Sequence, residues 1–407
     1  MVWVLAFLTL AGYNFSFWLI VGIARFLFER IPHSDKRKRG RPSKPILPKD
    51  VAAVIPAHNE QRTIAKAIRS LRKILPVGNI YVASDYSTDK TVKIARSFKV
   101  KVLDIRPNRG KARALVYIMK RYHLLSRFKA IIIHDADVEV SKDYLKNALP
   151  FLKDQNVAAV ATHGVTRLKN YKVLERFYIT YRLRLWRILQ YGMRFGQTWK
   201  YTNVTYIIPG SLSLYRTRVL KKLKIDAPDL IIEDFNMTFE VRRKKLGIIA
   251  YNPSIFGVHQ DPYTFRDYTK QLRRWNLGFW QTVKKNGIWP SLFWLSMGSF
   301  LIELLLYTFF ILSVPILIFI FILHSFNPIS IPLVSSYLTF LDLLIGLFLM
   351  DYVLTIIAAA AERKPEMLIY GLGFFFLRYV DAIIYTYTLP LAFLVKSKGT
   401  WSSPERK

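Results

Sequence analysis

The chain has no cysteine and little negative charge: 27 Asp and Glu face 61 Lys and Arg in 407 residues, a formal charge of +34. The first absence excludes disulfides, thiolate metal sites and a thiol nucleophile, and it permits the cytosol. The second leaves few carboxylates, so each cluster of them carries information. A large positive excess suits a nucleic acid, an anionic membrane surface or a phosphate-bearing substrate. The lysines and arginines are spread along the chain rather than gathered on one helix face, so no nucleic-acid partner is expected. A non-catalytic basic membrane protein that holds acidic polymers is the competing class, and it would show salt-sensitive binding independent of the acidic clusters.

Hydrophobic residues make up 52% of the chain and are segregated from the basic ones. Residues 3–28 are apolar for long enough to cross a hydrocarbon core of ~30 Å, with Arg25 near the end where it can snorkel. A signal peptide fits poorly, because no basic region precedes the run and the run is too long. Lys36, Arg37, Lys38, Arg39 and Arg41 then mark a cytoplasmic flank by the positive-inside rule. Three further apolar runs, near 291–323, 337–361 and 367–395, are separated by a loop without Lys or Arg and by ERKPE, which has both. Three crossings would leave the basic tail outside, so either the first run, with Pro315 inside it, is a hairpin or part of the last lies along the interface. Arg378 and Asp381 call for partners or a wet path at membrane depth. The organisation expected is a transmembrane helix over 1–30, a basic linker over 31–49, a cytoplasmic domain over 50–285, three or four transmembrane helices over 286–396 and a basic tail over 397–407, in a multi-pass protein of the cell membrane.

From about 50 to 285 short apolar runs alternate with amphipathic stretches: VAAVIPA, TIAKAIRSLRKIL, IYVASD, KTVKIARSF, VKVLDI, ARALVYIMKRYHLL and AIIIHDAD. Successive βα units of this kind predict a parallel sheet of nucleotide-binding type, with ligands at the carboxyl ends of the strands. His58, Asn59 and Glu60 follow the first strand and Asp85 closes the second, where Asp85 can accept from a base N–H and Glu60 can hold the base or ribose. Ser87-Thr88-Asp89 also reads as a plain helix cap. Gly110-Lys111 opens a helix and suits a diphosphate. Asp135 and Asp137 follow the strongest strand, and two carboxylates there need a cation, so oxygen ligands and a diphosphate specify Mg²⁺ or Mn²⁺. Glu233-Asp234 opens a helix; Asp234 is the candidate general base, although an acid pair suits a helix dipole as well. Gln271-Leu272-Arg273-Arg274-Trp275 precedes the membrane, with Arg274 available to a diphosphate and Trp275 to a sugar ring. The basic, aromatic stretch 165–205 reads equally as an interfacial helix on anionic lipid or as a wall of the domain.

Together these elements resemble the family 2 glycosyltransferases, in particular the membrane-embedded processive synthases of cellulose, chitin, hyaluronan and poly-N-acetylglucosamine. The resemblance runs from about 50 to 285 and implies a Rossmann-like α/β domain of the GT-A type with α-helical transmembrane segments. It implies uridine contacts at Ala57, His58, Glu60 and Asp85, a donor-side Lys111, a metal and diphosphate motif at Asp135 and Asp137, and a catalytic base at Asp234 with Glu233 beside it. Gln271, Arg274 and Trp275 fill the family's QxxRW motif, and Gly210 and Ser211 fall near its acceptor. Ser84-Asp85-Tyr86-Ser87 stands where the family commonly has Asp-Asp-Gly-Ser, and Ile232 where it often has Thr. The activity implied is inverting transfer from a UDP-sugar to a growing β-linked glycan; a single transfer to a polyprenyl phosphate or other lipid is the alternative.

Overall fold

The computed structural model describes residues 12–30, 44–167, 171–323 and 340–395. The tract 36–41, the loop 324–336 and the tail 397–407 lie outside them. Eight strands form one sheet: β1 (Val51–Ala57), β2 (Ile80–Asp85), β3 (Lys101–Ile105), β4 (Ala130–His134), β5 (Glu139–Val140), β6 (Val157–Thr166), β7 (Leu212–Arg216) and β8 (Ile248–His259), in the order β3-β2-β1-β4-β7-β6-β8-β5. Every residue of β1, β2 and β4 is buried. That is why they read as unbroken apolar runs rather than alternating ones. Helices α1 (Ile64–Arg72), α2 (Thr91–Ser97) and α3 (Lys111–Arg121) supply the crossovers. Ile55, Ile64, Ile68 and Leu71 pack on one face of the sheet; Val54, Leu115, Ile118 and Ile133 pack on the other.

The expected parallel sheet holds for β3, β2, β1 and β4, is broken at β7, and resumes only between β6 and β8. Strand β7 runs antiparallel to β4, pairing Ile132 with Leu214, and β6 runs antiparallel to β7. After β6 the chain makes a long helical excursion, so no short crossover constrains the direction of its return. The reversal puts the residues entering β7 beside those leaving β4, and the Asp135 N–H donates to the Ser211 carbonyl at 2.7 Å.

The excursion contains α4 (Val173–Arg187), followed by a π-helical stretch, Ile188–Arg194. Residues 178–184 of α4 are all buried. Tyr178 and Tyr181 pack with Tyr268, Phe374 and Leu377, and Leu183 with Ala358, Ala359 and Met367. This part of the stretch is therefore an internal wall rather than a lipid-facing surface. An N-terminal helix, Tyr13–Arg30, lies against the same region. Its Arg25 does not snorkel: the side chain is buried and donates to the carbonyls of Phe195 (2.7 Å) and Tyr251 (3.2 Å) and to the Thr198 hydroxyl (3.0 Å). Its Nε donates to Glu29, one turn on, at 2.8 Å, so the guanidinium is occupied by protein groups.

Helix α5 (Glu233–Arg243) lies between β7 and β8; beyond β8 come α6 (Phe265–Asn286), α7 (Leu292–Leu323), α8 (Phe340–Glu362), Glu366–Gly371 and α9 (Phe374–Leu394). Helix α7 continues through Pro315, so the hairpin alternative does not apply. Among the described residues, only its Leu292–Ile316 stretch is both long and apolar enough to cross a membrane. Asp351, Arg378 and Asp381 do have partners. Asp351 accepts from Arg184 at 2.6 Å and from Arg378 at 3.0 Å, and Asp381 accepts from Tyr181 at 2.6 Å and from Tyr268. Removing one partner of a buried pair costs about 3 kcal/mol, whereas an exposed pair contributes ~0–1 kcal/mol. Asp351→Ala should thus lower the thermal midpoint of detergent-solubilised protein well beyond Glu366→Gln, which breaks the exposed Arg176–Glu366 pair; a differential scanning measurement on both variants tests it.

Candidate active site

The carboxyl ends of the parallel strands gather most of the acidic motifs around one cation. Lys111, the first residue of α3, places its ammonium 2.8 Å from Asp135 Oδ1 and 2.9 Å from Glu233 Oε1, and 3.3 Å from the Gly210 carbonyl. Burial alone would strip its proton, but the two carboxylates hold the ammonium charged and push its pKa well above the usual lysine range. Burial raises Asp135, which keeps an elevated pKa despite Lys111. Burial acts the same way on Glu233, yet there the lysine wins and the pKa falls. Asp137, two residues after Asp135, is half-buried. The donor set that Asp135 and Asp137 present is all oxygen, as Mg²⁺ or Mn²⁺ requires. Among the described residues no third His, Asp or Glu joins them, so remaining ligands would have to come from a substrate.

Asp234 sits in the first turn of α5, where orphan N–H groups and the helix dipole favour an anion. Its Oδ2 accepts from the Gly210 N–H at 2.9 Å and its Oδ1 from the Phe235 N–H at 2.7 Å. Burial and the neighbouring Glu233 charge outweigh those donors and Lys111, raising its pKa to about 6. A carboxylate so tuned is ionised at neutral pH and still basic enough to take a proton. Each oxygen keeps a lone pair for a further donor.

The residues expected to contact a base lie at the ends of β1 and β2. Both oxygens of Asp85 are engaged by the loop ahead of α3, taking the Arg109 N–H at 2.8 Å and the Gly110 N–H at 2.7 Å. Gly110 has φ +82°, a conformation that a side chain would strain. Asp85 is thus first a brace for this loop, and any contact with a base uses what acceptor capacity remains. His58 Nδ1 lies 2.6 Å from the Asp85 carbonyl. Glu60 is buried and accepts from the Thr63 hydroxyl at 2.7 Å, Ala57 is fully buried, and only Tyr86 of this group is well exposed, with Arg106 over its ring. Asp89 acts as the plain cap, accepting from the Thr91 N–H at 2.9 Å and the Gln61 N–H at 3.0 Å.

On α6, Gln271 Oε1 accepts from Arg182 Nη2 at 2.7 Å, and the Arg182 guanidinium lies 4.7 Å from the Trp275 ring centre. Part of that indole is thereby covered. Arg274 is exposed, and its charge reaches Glu233 strongly enough to help lower its pKa. The sequence reading missed Arg182, His259 and Asp261. His259 ends β8 and lies 3.5 Å from Asp261; burial would lower its pKa, but Asp261 raises it, and Asp137 adds to the effect. Polar residues just beyond the last strand, GVHQD, were the signal available for these two. His134, directly before Asp135, is fully buried with neither ring nitrogen partnered among the described residues, and burial holds its pKa down at about 4.

Residues 48–278 match the family described as glycosyltransferase like family 2. The poly-β-1,6-N-acetyl-D-glucosamine synthase of Staphylococcus epidermidis is 24% identical over 387 residues, 88% of this chain and 87% of that protein. A hyaluronan synthase of Streptococcus pyogenes is 25% identical over 258 residues, 58% of this chain and 59% of its own length. Among solved structures, a mannosyltransferase from Pyrobaculum calidifontis in complex with GDP-mannose and Mn²⁺ superposes with a TM-score of 0.54 at 16% identity, covering 95% of this chain and 98% of that one. At that identity the likeness is one of fold.

Lys111→Met removes the cation from a site of three carboxylates. With Lys111 present the depressed Glu233 stabilises the fold above its unfolded pKa and loses that contribution as pH falls. Without it, repulsion raises all three acids, so stability is greatest when they are protonated and declines as pH rises. The variant should be destabilised by about 3 kcal/mol at pH 8, with the deficit shrinking toward pH 5 in thermal denaturation at stepped pH.

Proposed function

The chain belongs to the glycosyltransferase like family 2, and we propose that it transfers a sugar, with inversion, from a uridine diphosphate sugar to the end of a growing β-linked glycan, N-acetylglucosamine being the leading donor sugar. The observation that carries this reading is Asp234: a buried carboxylate with a pKa of about 6, pinned by two backbone N–H groups and set next to the Lys111, Asp135 and Glu233 cluster. Support for the product comes from the poly-β-1,6-N-acetyl-D-glucosamine synthase, which matches along most of both chains. The donor is placed across the strand ends, with its base toward Ala57, His58, Glu60 and Asp85, its diphosphate toward Lys111 and Arg274, and its sugar toward Gln271 and Trp275. The acceptor hydroxyl gives its proton to Asp234 as its oxygen bonds to the anomeric carbon, and the bond to the diphosphate breaks on the opposite face. Displacement of an α-linked donor from behind yields the β-linkage.

Asp135 and Asp137 are the residues that would hold Mg²⁺ or Mn²⁺, which supplies charge neutralisation at the diphosphate. Lys111 already places a positive charge at Asp135 and keeps it there through pairing with Glu233. Helix α7, and with it α8, α9 and the N-terminal helix, is assigned to a multi-pass anchor at the cell membrane, with the sheet on the cytoplasmic side and the product passed outward.

Nucleotide release by purified protein should appear with one of UDP-N-acetylglucosamine, UDP-glucose, UDP-galactose or UDP-glucuronate in Mn²⁺ or Mg²⁺, give a glycan ladder, and vanish with EDTA or Asp234→Asn. A single-addition product instead of a ladder would transfer the assignment to a lipid acceptor. The rate should fall on the acid side with an apparent pKa of about 6, because protonated Asp234 cannot accept the hydroxyl proton. Gly210→Ala would set a methyl 2.9 Å from Asp234 Oδ2 and 3.0 Å from its Cβ. The displaced base should cost on the order of 10–100-fold in kcat, measurable in the same assay with donor KM little changed.

A further inference from the structure

Two of the four arginines of α4 lie two residues apart, both sealed from solvent but differently partnered. Arg184 is neutralised: Nη1 donates to Asp351 Oδ2 at 2.6 Å and to the Thr355 hydroxyl at 2.9 Å. Arg182 is fully buried, and among the described residues no carboxylate bonds to it directly; its charge reaches Asp261 across a gap and helps, after His259, to lower that carboxyl's pKa. Arg182 Nη2 donates to Gln271 Oε1, its Cζ lies over the rings of Tyr268 (4.8 Å from the centre) and Trp275 (4.7 Å), and its Nε and Nη1 have no hydrogen-bond partner among the described residues. Two unsatisfied donors on a sealed cation are expensive. A residue kept only for packing would be an apolar side chain of that volume, or would be paired as Arg184 is. Residues 182 and 184 are about 200° apart around a helix. One therefore addresses α6 while the other addresses α8.

We propose that Arg182 is a positioning residue for sugar transfer: its guanidinium fixes the Gln271 amide and the Trp275 indole on α6 while α4 is held from behind by the Arg184–Asp351 pair. The inference rests on the assignment of Gln271 and Trp275 to the sugar side of the site. One bond fixes the Gln271 amide orientation, leaving its NH₂ group for a ligand, and the stacked cation sets the indole plane on which a sugar ring would lie. Trp186 packs against Trp275 at a tilt of 59°, ring centres 5.7 Å apart, and supports the indole from a second direction. Trp186 is itself tied to Asp261 through its Nε1–H at 3.1 Å. A platform built this way excludes water from the donor sugar and aligns the acceptor, so its loss should favour hydrolysis over transfer.

The test measures, for wild type, Arg182→Met, Arg182→Lys and Arg184→Met, the donor KM, kcat for transfer, and the fraction of released nucleotide that reflects hydrolysis rather than transfer. Arg182→Met is expected to hold donor KM within about threefold, lower transfer kcat at least tenfold and raise the hydrolytic fraction. Arg182→Lys, which keeps charge and a donor but loses the planar fork, should fall between. Arg184→Met should lower the thermal midpoint and leave the partition unchanged. The proposal is overturned if Arg182→Met behaves as wild type, or if transfer and hydrolysis fall in parallel, the signature of a purely structural role. Should Arg182→Met not fold, an unchanged partition in Arg182→Lys overturns it equally. A wild-type enzyme that releases no nucleotide from any donor would overturn the functional assignment itself and this inference with it.

Discussion

The Lys111 ammonium is the point on which the arrangement turns. Asp135, Glu233 and Asp234 come from a strand end and a helix start about a hundred residues apart in sequence. Without a cation between them, burial and mutual repulsion would drive them to protonate or move apart. The lysine gives Asp135 and Glu233 a shared partner and leaves Asp234 outside the pair, held by backbone donors and influenced by Glu233. One ion thus sorts three similar groups: Glu233 is depressed, while Asp135 and Asp234 stay raised. The sheet serves this arrangement directly, since reversing β7 against β4 is what brings Gly210 and Ser211 to the same edge.

A second level of support comes from α4. A helix with seven consecutive buried residues has no solvent face along that length, so shifting it means repacking α6 on one side and α8 and α9 on the other. Its charged residues are distributed accordingly, with Arg184 and Tyr181 pointing to carboxylates of the C-terminal helices and Arg182 to α6. Arg25 performs a similar function for the N-terminal helix, directing donors to two chain segments of the domain, 195–198 and Tyr251.

What could be read from the sequence was whatever depends on local pattern. The runs VAAVIPA, IYVASD and AIIIH are buried on both sides and announce themselves as parallel strands; the acids that follow them mark the ligand edge because strand ends in such sheets always point there. Asp135 was legible for that reason, and Lys111 and Glu233 as the openings of helices. Directions and partners over long range were not legible. Nothing local says that β7 runs backward, that Arg25 turns into the domain, or that a basic aromatic stretch is buried rather than lipid-facing, because a guanidinium that stacks on Trp275 looks in sequence like one that faces a phosphate. The double engagement of Asp85 was hidden too, since its partners are main-chain amides that any residues would have supplied.

That last feature bears on how such a site can diversify. The loop of residues 106–110 is moored to Asp85 by the amides of Arg109 and Gly110 rather than by side chains. Its course therefore depends little on what residues 106 and 109 are, whereas the Asn108 side chain accepts from the Gly110 N–H at 3.1 Å and Gly110 is tied by its backbone angle. Arg106 beside the Tyr86 ring and Arg109 beside the Tyr117 ring are in this sense replaceable fittings on a fixed rail. A lineage, or a directed-evolution library, can exchange them to suit a different ligand without having to rebuild the loop that carries them.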